Sequence, residues 1–146
     1  MASVGISWHR ECSRKVLMSD RTESLSITPL HALHRSLGAR LVPFAGYDMP
    51  VQFPAGILAE HLHTRAKASL FDVSHMGQIR LSGPGAAAAL ESLVPADIIG
   101  SPVGRQRYTF FTNDAGGILD DLMVANAGDA LLVVVNASRK VEDLAW

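Results

Sequence analysis

Cysteine is nearly absent from this sequence, since Cys12 is the single one in 146 residues. A lone cysteine excludes an intrachain disulfide framework and fits a reducing compartment. Cys12 also lies in a polar N-terminal stretch without the shaped, electropositive surroundings that make a thiol reactive. We therefore interpret it as chemically inert.

Long apolar runs and an excess of charge of one sign are missing as well. No apolar run approaches the ~20 residues that a membrane-spanning helix needs. The net charge of −1 provides no field that would gather nucleic acid or an anionic membrane surface. The composition, 48% apolar and 18% charged, is typical of an ordinary globular protein. We expect neither nucleic acid nor a membrane among the partners.

Several common catalytic motifs are absent or incomplete. The Gly-Pro-Gly at positions 83–85 satisfies neither the dinucleotide-binding pattern nor the phosphate-loop pattern. No G-x-S-x-G nucleophile elbow is present. Asp72, Ser74 and His75 supply the residue types of a catalytic triad, but an adjacent Ser and His on one strand point to opposite faces. Nucleophilic catalysis is therefore not expected.

The chain is expected to divide near residue 27. Residues 1–27 are expected to form a disordered tail. This segment lacks the apolar stretch of a secretion signal. Order is expected in residues 28–146. The tail is basic and contains several serines, as a mitochondrial transit segment does, although Glu11 and Asp20 count against that interpretation. An over-long start, with Met18 as the true beginning, is an alternative.

Two helices are expected ahead of the sheet. Thr28 as N-cap and Pro29 in the first turn predict a helix that ends at Gly38. Residues 41–53 are expected to be extended and irregular, because two prolines disfavour regular pairing in a central strand. A second helix is predicted over residues 55–69.

Two histidines of the first predicted helix, His31 and His34, lie three residues apart and could bind a metal together. No acid or cysteine near them in the sequence completes a ligand set. We therefore interpret them as surface histidines and predict no metal site.

From Ile79 onward the predicted elements follow the order β-α-β-β-β-α. This order indicates an α+β fold, with an antiparallel or mixed sheet that contains a split βαβ (ferredoxin-like) element. The strand at residues 130–135 is apolar on both faces, as is typical of the middle of a sheet. The helix after it shows no stop signal at Trp146, so the domain is expected to be incomplete.

Two adjacent acids, Asp120 and Asp121, lie in the second strand of a hairpin predicted over residues 108–124. Residues along a strand alternate between its faces, so the two carboxylates must point in opposite directions. One of them can be solvated, whereas the other is costly to bury unless something pairs with it. The pair is the first indication of a functional site.

Four strings carry a resemblance to a known family: TPLHALHRSLGARLVPFAGYDMPVQF, HLHTRAKASLFDVSHMGQI, FFTNDAGGILDDLMV and VVNAS. In this order they resemble the N-terminal part of the glycine cleavage system T-protein, an aminomethyltransferase whose members are considerably longer. The similarity spans residues 28–146. The folate-binding region of dimethylglycine and sarcosine dehydrogenases is similar, as are folate-binding proteins that assist iron–sulfur cluster assembly. The combination of DVSHMG with GGILDD resembles T-protein most.

The resemblance implies an activity and a set of residues. T-protein passes the one-carbon unit of an aminomethyl group, held on the lipoyl arm of H-protein, to tetrahydrofolate and releases ammonia. The family's catalytic aspartate is the second acid of GGILDD, which is Asp121. Tyr108, thirteen residues earlier, takes the place of the pterin-pocket tyrosine. Met76 in SHMG and Asn136 in VVNAS match folate-contacting positions.

The chemistry of a carboxylate agrees with that assignment, because an ionised carboxylate accepts hydrogen bonds from the row of N–H groups on a reduced pterin. We expect Asp121 to be turned inward, and to orient the reacting nitrogen and stabilise its growing positive charge rather than to remove a proton. Tyr108 and Met76 would offer flat and polarizable surface to the ring. The ordinary alternatives are solvated acids at the edge of a turn, and core packing for Tyr108 and Met76.

Two other functions remain open at this point. The protein could be a folate-binding, non-catalytic protein of the cluster-assembly type, or this chain could be an inactive fragment. The lipoylated H-protein and tetrahydrofolate are the partners that the first function requires. For the compartment, the tail favours a cytoplasmic protein over one of the mitochondrial matrix.

Overall fold

The computed structural model describes residues 5–7 and 24–146. The chain divides into two units, which are described separately. We call them the sheet unit, with described residues 5–7 and 76–146, and the hairpin unit, with described residues 24–75. In chain order the elements are β1 (Gly5–Ser7), α1 (His31–Ser36), β2 (Arg40–Phe44), β3 (Tyr47–Gln52), α2 (Ile57–Ala66), β4 (Gly77–Ser82), α3 (Ala86–Glu91), β5 (Gln106–Thr112), β6 (Ile118–Asn126), β7 (Leu131–Val135) and α4 (Lys140–Ala145).

The sheet unit is built on a five-stranded sheet in the order β1-β4-β7-β6-β5, in which every ladder is antiparallel. Alternate residues of the strands point to one face, where they pack with the segment that contains α3. The buried side chains of this core are Ile79, Leu90, Val94, Ile98, Phe111, Leu122, Val124, Leu131, Val133 and Val135. We call this side of the sheet the covered face and the opposite side the open face.

The predicted order β-α-β-β-β-α and the α+β class with an antiparallel sheet are both confirmed. The details of the split element differ from the regular form, in which the two strands joined by the helix run parallel. Here β7 and β6 both lie between β4 and β5, so the two strands that α3 connects run in opposite directions.

The central hairpin of β5 and β6 forms where the sequence predicts it, because its turn is specified locally. The side-chain oxygen of Asn113 accepts hydrogen bonds from the backbone N–H of Ala115 at 3.1 Å and of Gly117 at 2.8 Å. Gly116 adopts φ +79°, which a residue with a Cβ adopts at a cost. Asparagine and glycine at these two positions therefore fix the length of the turn and the register of the two strands.

The hairpin unit contains a paired β2–β3 hairpin, with a register shift only at Arg40/Leu41, where an extended, irregular segment was expected over residues 41–53. Its turn, Ala45-Gly46, has positive φ at both residues, 49° and 80°. Pro43 and Pro50 are tolerated because each strand of a two-stranded sheet has a free edge, which needs no N–H from proline. The expectation of irregular structure was wrong because it considered only central strands.

Both helices of the hairpin unit are shorter than predicted. The helix α1 begins at His31, and its N-cap residue Leu30 provides no side-chain hydrogen bond. Thr28 does not cap this helix, because its hydroxyl donates to the Asp72 carboxylate instead, at 3.0 Å. The predicted end is confirmed, with Gly38 at φ +74°. The helix α2, predicted over residues 55–69, has no buried residue.

Most of the predicted disordered tail lies outside the described residues. Within residues 1–27, Gly5–Ser7 forms β1 on the edge of the sheet, and Ser26 bridges to Tyr47. These positions depart from the predicted disorder, while the boundary at residue 27 stays a prediction. Across the described residues, no helix is both long and apolar enough to cross a bilayer.

Candidate functional site

Three of the four residues assigned to the site occupy one row across the sheet. Val135 of β7 pairs with Leu122 of β6 on one side and with Gly77 of β4 on the other. One step further along each strand, the neighbours are Asp121, Asn136 and Met76. Alternation places Asp121 on the open face, because Leu122 belongs to the covered face, while Asn136 directly follows β7 and Met76 directly precedes β4.

Asn136 holds the two acids of β6 with a single amide group. Its Nδ2 donates to Asp121 Oδ1 at 2.9 Å and to Asp120 Oδ1 at 2.9 Å, and lies 3.3 Å from the backbone oxygen of Asp121. An amide nitrogen carries two hydrogens, so each carboxylate receives one of them. Asn136 therefore fixes the position of both side chains relative to the end of β7.

The two acids point to opposite faces of the sheet, as the alternation along a strand requires. Asp120 pairs with Phe111, which is 4% exposed and belongs to the core, so its carboxylate lies toward the covered face. Asp121 pairs with Phe110 and lies on the open face, where it is half-buried. Asp121 therefore points away from the core without being fully exposed, and both acids are half-buried, although one oxygen of Asp120 is fully buried.

Tyr108 belongs to the same open face, two residues before Phe110 on β5. Its ring is 58% exposed and meets the Phe110 ring edge-to-face, with centroids 5.2 Å apart and planes at 75°. Burial, followed by the charge of Asp121 and a hydrogen bond with it, raises the pKa of the Tyr108 hydroxyl above its ordinary value. The Asp121 carboxylate therefore acts on the Tyr108 hydroxyl, beside the Phe110 ring.

Of the four predicted residues, Met76 has the weakest connection to the other three. It is half-buried and directly precedes β4, so it shares the row of Asn136 through strand register. Asp121, Asn136 and Tyr108 form one connected group, to which Met76 adds a thioether at the end of the row. The four predicted positions thus lie on or next to strands of one sheet, and their roles stay predictions.

On the covered face, Asp120 has a second acid beside it, Asp143, which no motif marks. Asp143 of α4 is 6% exposed, and its carboxyl group is close enough to that of Asp120 to be affected by it. Burial, then hydrogen bonding with Asp120 and its negative charge, raise the pKa of Asp143 to about 7, against the opposing charge of Arg139. A glutamate–aspartate pair early in a short helix normally indicates a solvated first turn, so no local pattern marks Asp143.

The hairpin unit carries a separate polar cluster around Asp72, which is where the suspected triad residues belong. Asp72 Oδ2 accepts from Thr28 Oγ1 and from His34 Nε2, at 3.0 Å and 2.8 Å. Asp72 Oδ1 accepts from the backbone N–H and the hydroxyl of Ser74, at 2.9 Å and 2.5 Å. Because Ser74 donates to the acid and not to a histidine, the cluster lacks the order of a catalytic triad.

The two histidines of α1 are bound to acids that are distant in sequence. His34 is 8% exposed and pairs with Asp72, so its interpretation as a surface residue was wrong. His31 Nε2 lies 2.8 Å from Asp48 Oδ2. No group of three or more His, Cys, Asp or Glu side chains among the described residues is placed to hold a metal ion.

Known proteins resemble this chain closely. Residues 30–146 match the family model described as the GCVT N-terminal domain. A mitochondrial aminomethyltransferase of Dictyostelium discoideum is 50% identical over 132 residues, which are 90% of this chain and 32% of that protein. An aminomethyltransferase of Deinococcus deserti is 47% identical over 123 residues, covering 84% of this chain and 34% of its own length. A mitochondrial aminomethyltransferase of Gallus gallus is 50% identical over 129 residues, which are 88% of this chain and 33% of that protein.

A solved structure agrees with these relatives. The crystal structure of glycine cleavage system aminomethyltransferase T from Bartonella henselae superposes with a TM-score of 0.79 at 43% identity. It matches 84% of this chain and 34% of that chain. This chain therefore spans about a third of the length of the proteins it matches.

Proposed function

Because the chain belongs to the family of the GCVT N-terminal domain, we propose that it serves a tetrahydrofolate-dependent aminomethyltransferase of the glycine cleavage system. The reaction moves the one-carbon unit from the aminomethyl-lipoyl arm of H-protein to tetrahydrofolate and releases ammonia. Activity, substrates and partners belong to this proposal, since the chain spans about a third of its relatives.

One observation carries the proposal: the Asp121 carboxylate, held by the Asn136 amide, lies on the open face of the same β5–β6 hairpin that presents the Tyr108 ring. Asn136 holds one oxygen of Asp121 at 2.9 Å, and Tyr108 interacts with the same carboxylate. A half-buried carboxylate next to exposed aromatic surface suits a flat ring that presents N–H donors. The hydrogen-bond acceptor and the aromatic surface of this face therefore fit a reduced pterin.

In the proposed mechanism, Asp121 is the catalytic residue. Its carboxylate accepts a hydrogen bond from the substrate near the reacting nitrogen and stabilises the positive charge that develops there. Asn136 restrains the carboxylate in that orientation, because it anchors Oδ1 from the adjacent strand end. A preorganised acceptor of this kind needs no large movement during the reaction.

Folate recognition is assigned to Tyr108, Met76 and Asn136 together with Asp121. Tyr108 provides a ring face for stacking, Met76 a polarizable thioether at the other end of the row, and Asn136 a polar edge. Tetrahydrofolate supplies the nitrogen that accepts the one-carbon unit. The lipoylated H-protein supplies that unit and is the protein partner.

Two compartments are compatible with this activity. Relatives named as mitochondrial come from Dictyostelium discoideum and Gallus gallus, and other relatives are bacterial. We propose a cytoplasmic protein if the source is bacterial, and a protein of the mitochondrial matrix if it is eukaryotic.

A chimera tests the proposal directly. Residues 30–146 replace the matched third of the Deinococcus deserti aminomethyltransferase, and ammonia release is measured with aminomethylated H-protein and tetrahydrofolate. We expect an active chimera, in which Asp121→Asn lowers turnover by about 10²–10³-fold, the range for loss of one electrostatic partner of a transition state. Folate affinity should change little, because the amide keeps the shape of the carboxylate.

The matched control is Asp114→Asn, at an exposed position in the turn of the same hairpin, which should leave turnover unchanged. Unchanged turnover in Asp121→Asn would remove this residue from the mechanism. A chimera that binds folate without releasing ammonia would support the non-catalytic alternative instead. The relatives reported above are all named aminomethyltransferases, which favours the catalytic function.

A further inference from the structure

Two carboxylate oxygens on the covered face, below the proposed site, lack a hydrogen-bond donor. Oδ2 of Asp120 and Oδ2 of Asp143 are both buried, and no donor among the described residues reaches either of them. A buried polar atom without a partner costs about 1–3 kcal/mol, and more when it is charged. Two such atoms on neighbouring acids therefore need an explanation.

The surroundings of Asp143 offer little to offset a second negative charge. The charged groups that act on it are Asp120 on β6, and Arg139 and Glu142 on its own segment. Asp143 lines a cavity whose other walls, from β4, the segment that contains α3, β5 and β7, are apolar: Ile79, Leu81, Ala86, Ala89, Leu90, Leu93, Phe111 and Val133. In such surroundings two adjacent carboxylates do not both ionise readily.

A single proton satisfies both oxygens at once. If Asp143 carries it, its O–H donates to Asp120, and Asp120 then accepts on both oxygens, from Asp143 and from Asn136. The pair then keeps a net charge of −1, and no bond other than this hydrogen bond is formed or broken. Carboxyl pairs that share a proton in this way are known from sites where like charges are held close together.

We propose that Asp120 and Asp143 share one proton, and that Asp143 thereby acts as a positioning residue for Asp121 through Asn136. The shared proton holds the Asp120 carboxylate in place, so that the Asn136 amide divides its two hydrogens between Asp120 and Asp121. Removal of the proton sets two buried negative charges against each other. Asp120 then moves, and Asn136 moves with it and releases Asp121 from its orientation.

The consequence for catalysis depends on the proposed function, whereas the shared proton and the placement of Asn136 do not. Both are therefore tested by NMR on this chain, without folate or H-protein. The side-chain carboxyl carbons and the Asn136 side-chain amide are followed between pH 4 and pH 9. We expect the Asp143 carboxyl carbon to titrate near pH 7, and the two Asn136 amide hydrogens to shift with the same midpoint.

The internal control is Asp129, where a hydrogen bond and the charge of Arg80 lower the pKa below its ordinary value. The variant is Asp143→Asn, whose amide donates to Asp120 without titrating. In this variant the Asn136 amide signals should stay constant over the same pH range. The inference is wrong if Asp143 titrates in the ordinary range of an aspartate. It is also wrong if the chemical shifts of the Asn136 amide do not change when Asp143 titrates.

The chimera adds the catalytic readout. In the wild-type sequence, turnover should fall about tenfold per pH unit above the midpoint seen by NMR, as for any single required proton. Asp143→Asn should keep its turnover over that range. An alkaline fall that persists in this variant would overturn the positioning role. A chimera that is inactive at every pH, with the NMR result as expected, would overturn the proposed function and leave the proton-sharing pair established.

Discussion

The substitution Asp72→Asn should destabilise the hairpin unit more than any other single exchange of an acid for its amide. The Asp72 side chain is 2% exposed and accepts four hydrogen bonds from three residues. Asparagine keeps the shape of the aspartate side chain but replaces one acceptor oxygen by an NH₂ group. This NH₂ group then lies opposite other hydrogen-bond donors and cannot accept from them. It also removes the charge that strengthens each of these bonds.

The expected loss follows from those contacts. A hydrogen bond to a charged group contributes about 1.5–3 kcal/mol, and a buried donor without an acceptor costs about 1–3 kcal/mol. Because hydroxyl groups can rotate, only part of the set is lost, and we expect a total of about 3 kcal/mol. With a urea slope of about 2 kcal/mol/M, this loss lowers the midpoint of unfolding of the hairpin unit by about 1.5 M.

The assay must report on the hairpin unit alone, since two units need not unfold together. Hydrogen exchange of the α1 and β3 amides in increasing urea provides that selectivity. The matched control is Asp48→Asn in the same unit, where the carboxylate also pairs with a histidine but its side chain is 28% exposed. We expect a loss of about 1 kcal/mol or less there. Equal losses in the two variants would show that the buried hydrogen bonds of Asp72 contribute no more stability than the exposed pair of Asp48.

The pH dependence gives a second check on Asp72. Burial acts to raise its pKa, but the hydrogen bonds from Ser74, His34 and Thr28 prevail and bring the pKa well below its ordinary value. A carboxyl group with a lowered pKa in the folded state contributes stability above its unfolded pKa, about 3.9, and loses it as the pH falls. The difference between wild type and Asp72→Asn should therefore be constant above about pH 5 and shrink below about pH 4.

Two further predictions concern the sheet unit. In the chimera, Tyr108→Ala should weaken folate binding about tenfold and Tyr108→Phe less than about threefold in calorimetric titrations, because the ring provides most of the contact; a larger effect of Tyr108→Phe would assign the affinity to the hydroxyl. Gly77→Ala should destabilise the sheet unit by about 1–3 kcal/mol in urea unfolding. The added Cβ would lie 2.5 Å from Cγ2 of Val135, which is fully buried, and 3.0 Å from Cγ of Lys140, so an unchanged midpoint would contradict the packing described here.

The parts of the fold that the sequence predicts are those specified by short stretches of chain. The β5–β6 hairpin depends on Asn113 and Gly116, which lie inside its own turn. Gly38 ends α1 for the same local reason. The start of α1 was mispredicted because Thr28, which looks like a cap, donates to Asp72, 44 residues away. A tertiary acceptor of this kind overrides a local preference and has no signature near Thr28.

In the candidate site, too, the features set by short stretches of sequence could be predicted, and those set by distant residues could not. The positions of Asp121, Tyr108 and Asn136 could be assigned from strings around each residue, and antiparallel register then brings them together. The face that each acid occupies could not be assigned, because alternation fixes only that Asp120 and Asp121 differ. What decides the face is the core partner across the ladder, Phe111 for Asp120, and this pairing depends on the register of the whole sheet.

Asp143 is a buried acid that the local sequence pattern does not identify, although it affects the candidate site. In sequence it is one of two acids in the first turn of α4, a place where carboxylates are normally solvated. Burial against the sheet makes it a partner of Asp120, and Asn136 connects that partner to Asp121. The carboxylate on the open face is thus held by groups whose own charge state is set on the covered face. Since both acids of β6 share one amide, any change that alters the charge of Asp120 must also alter the restraint on Asp121.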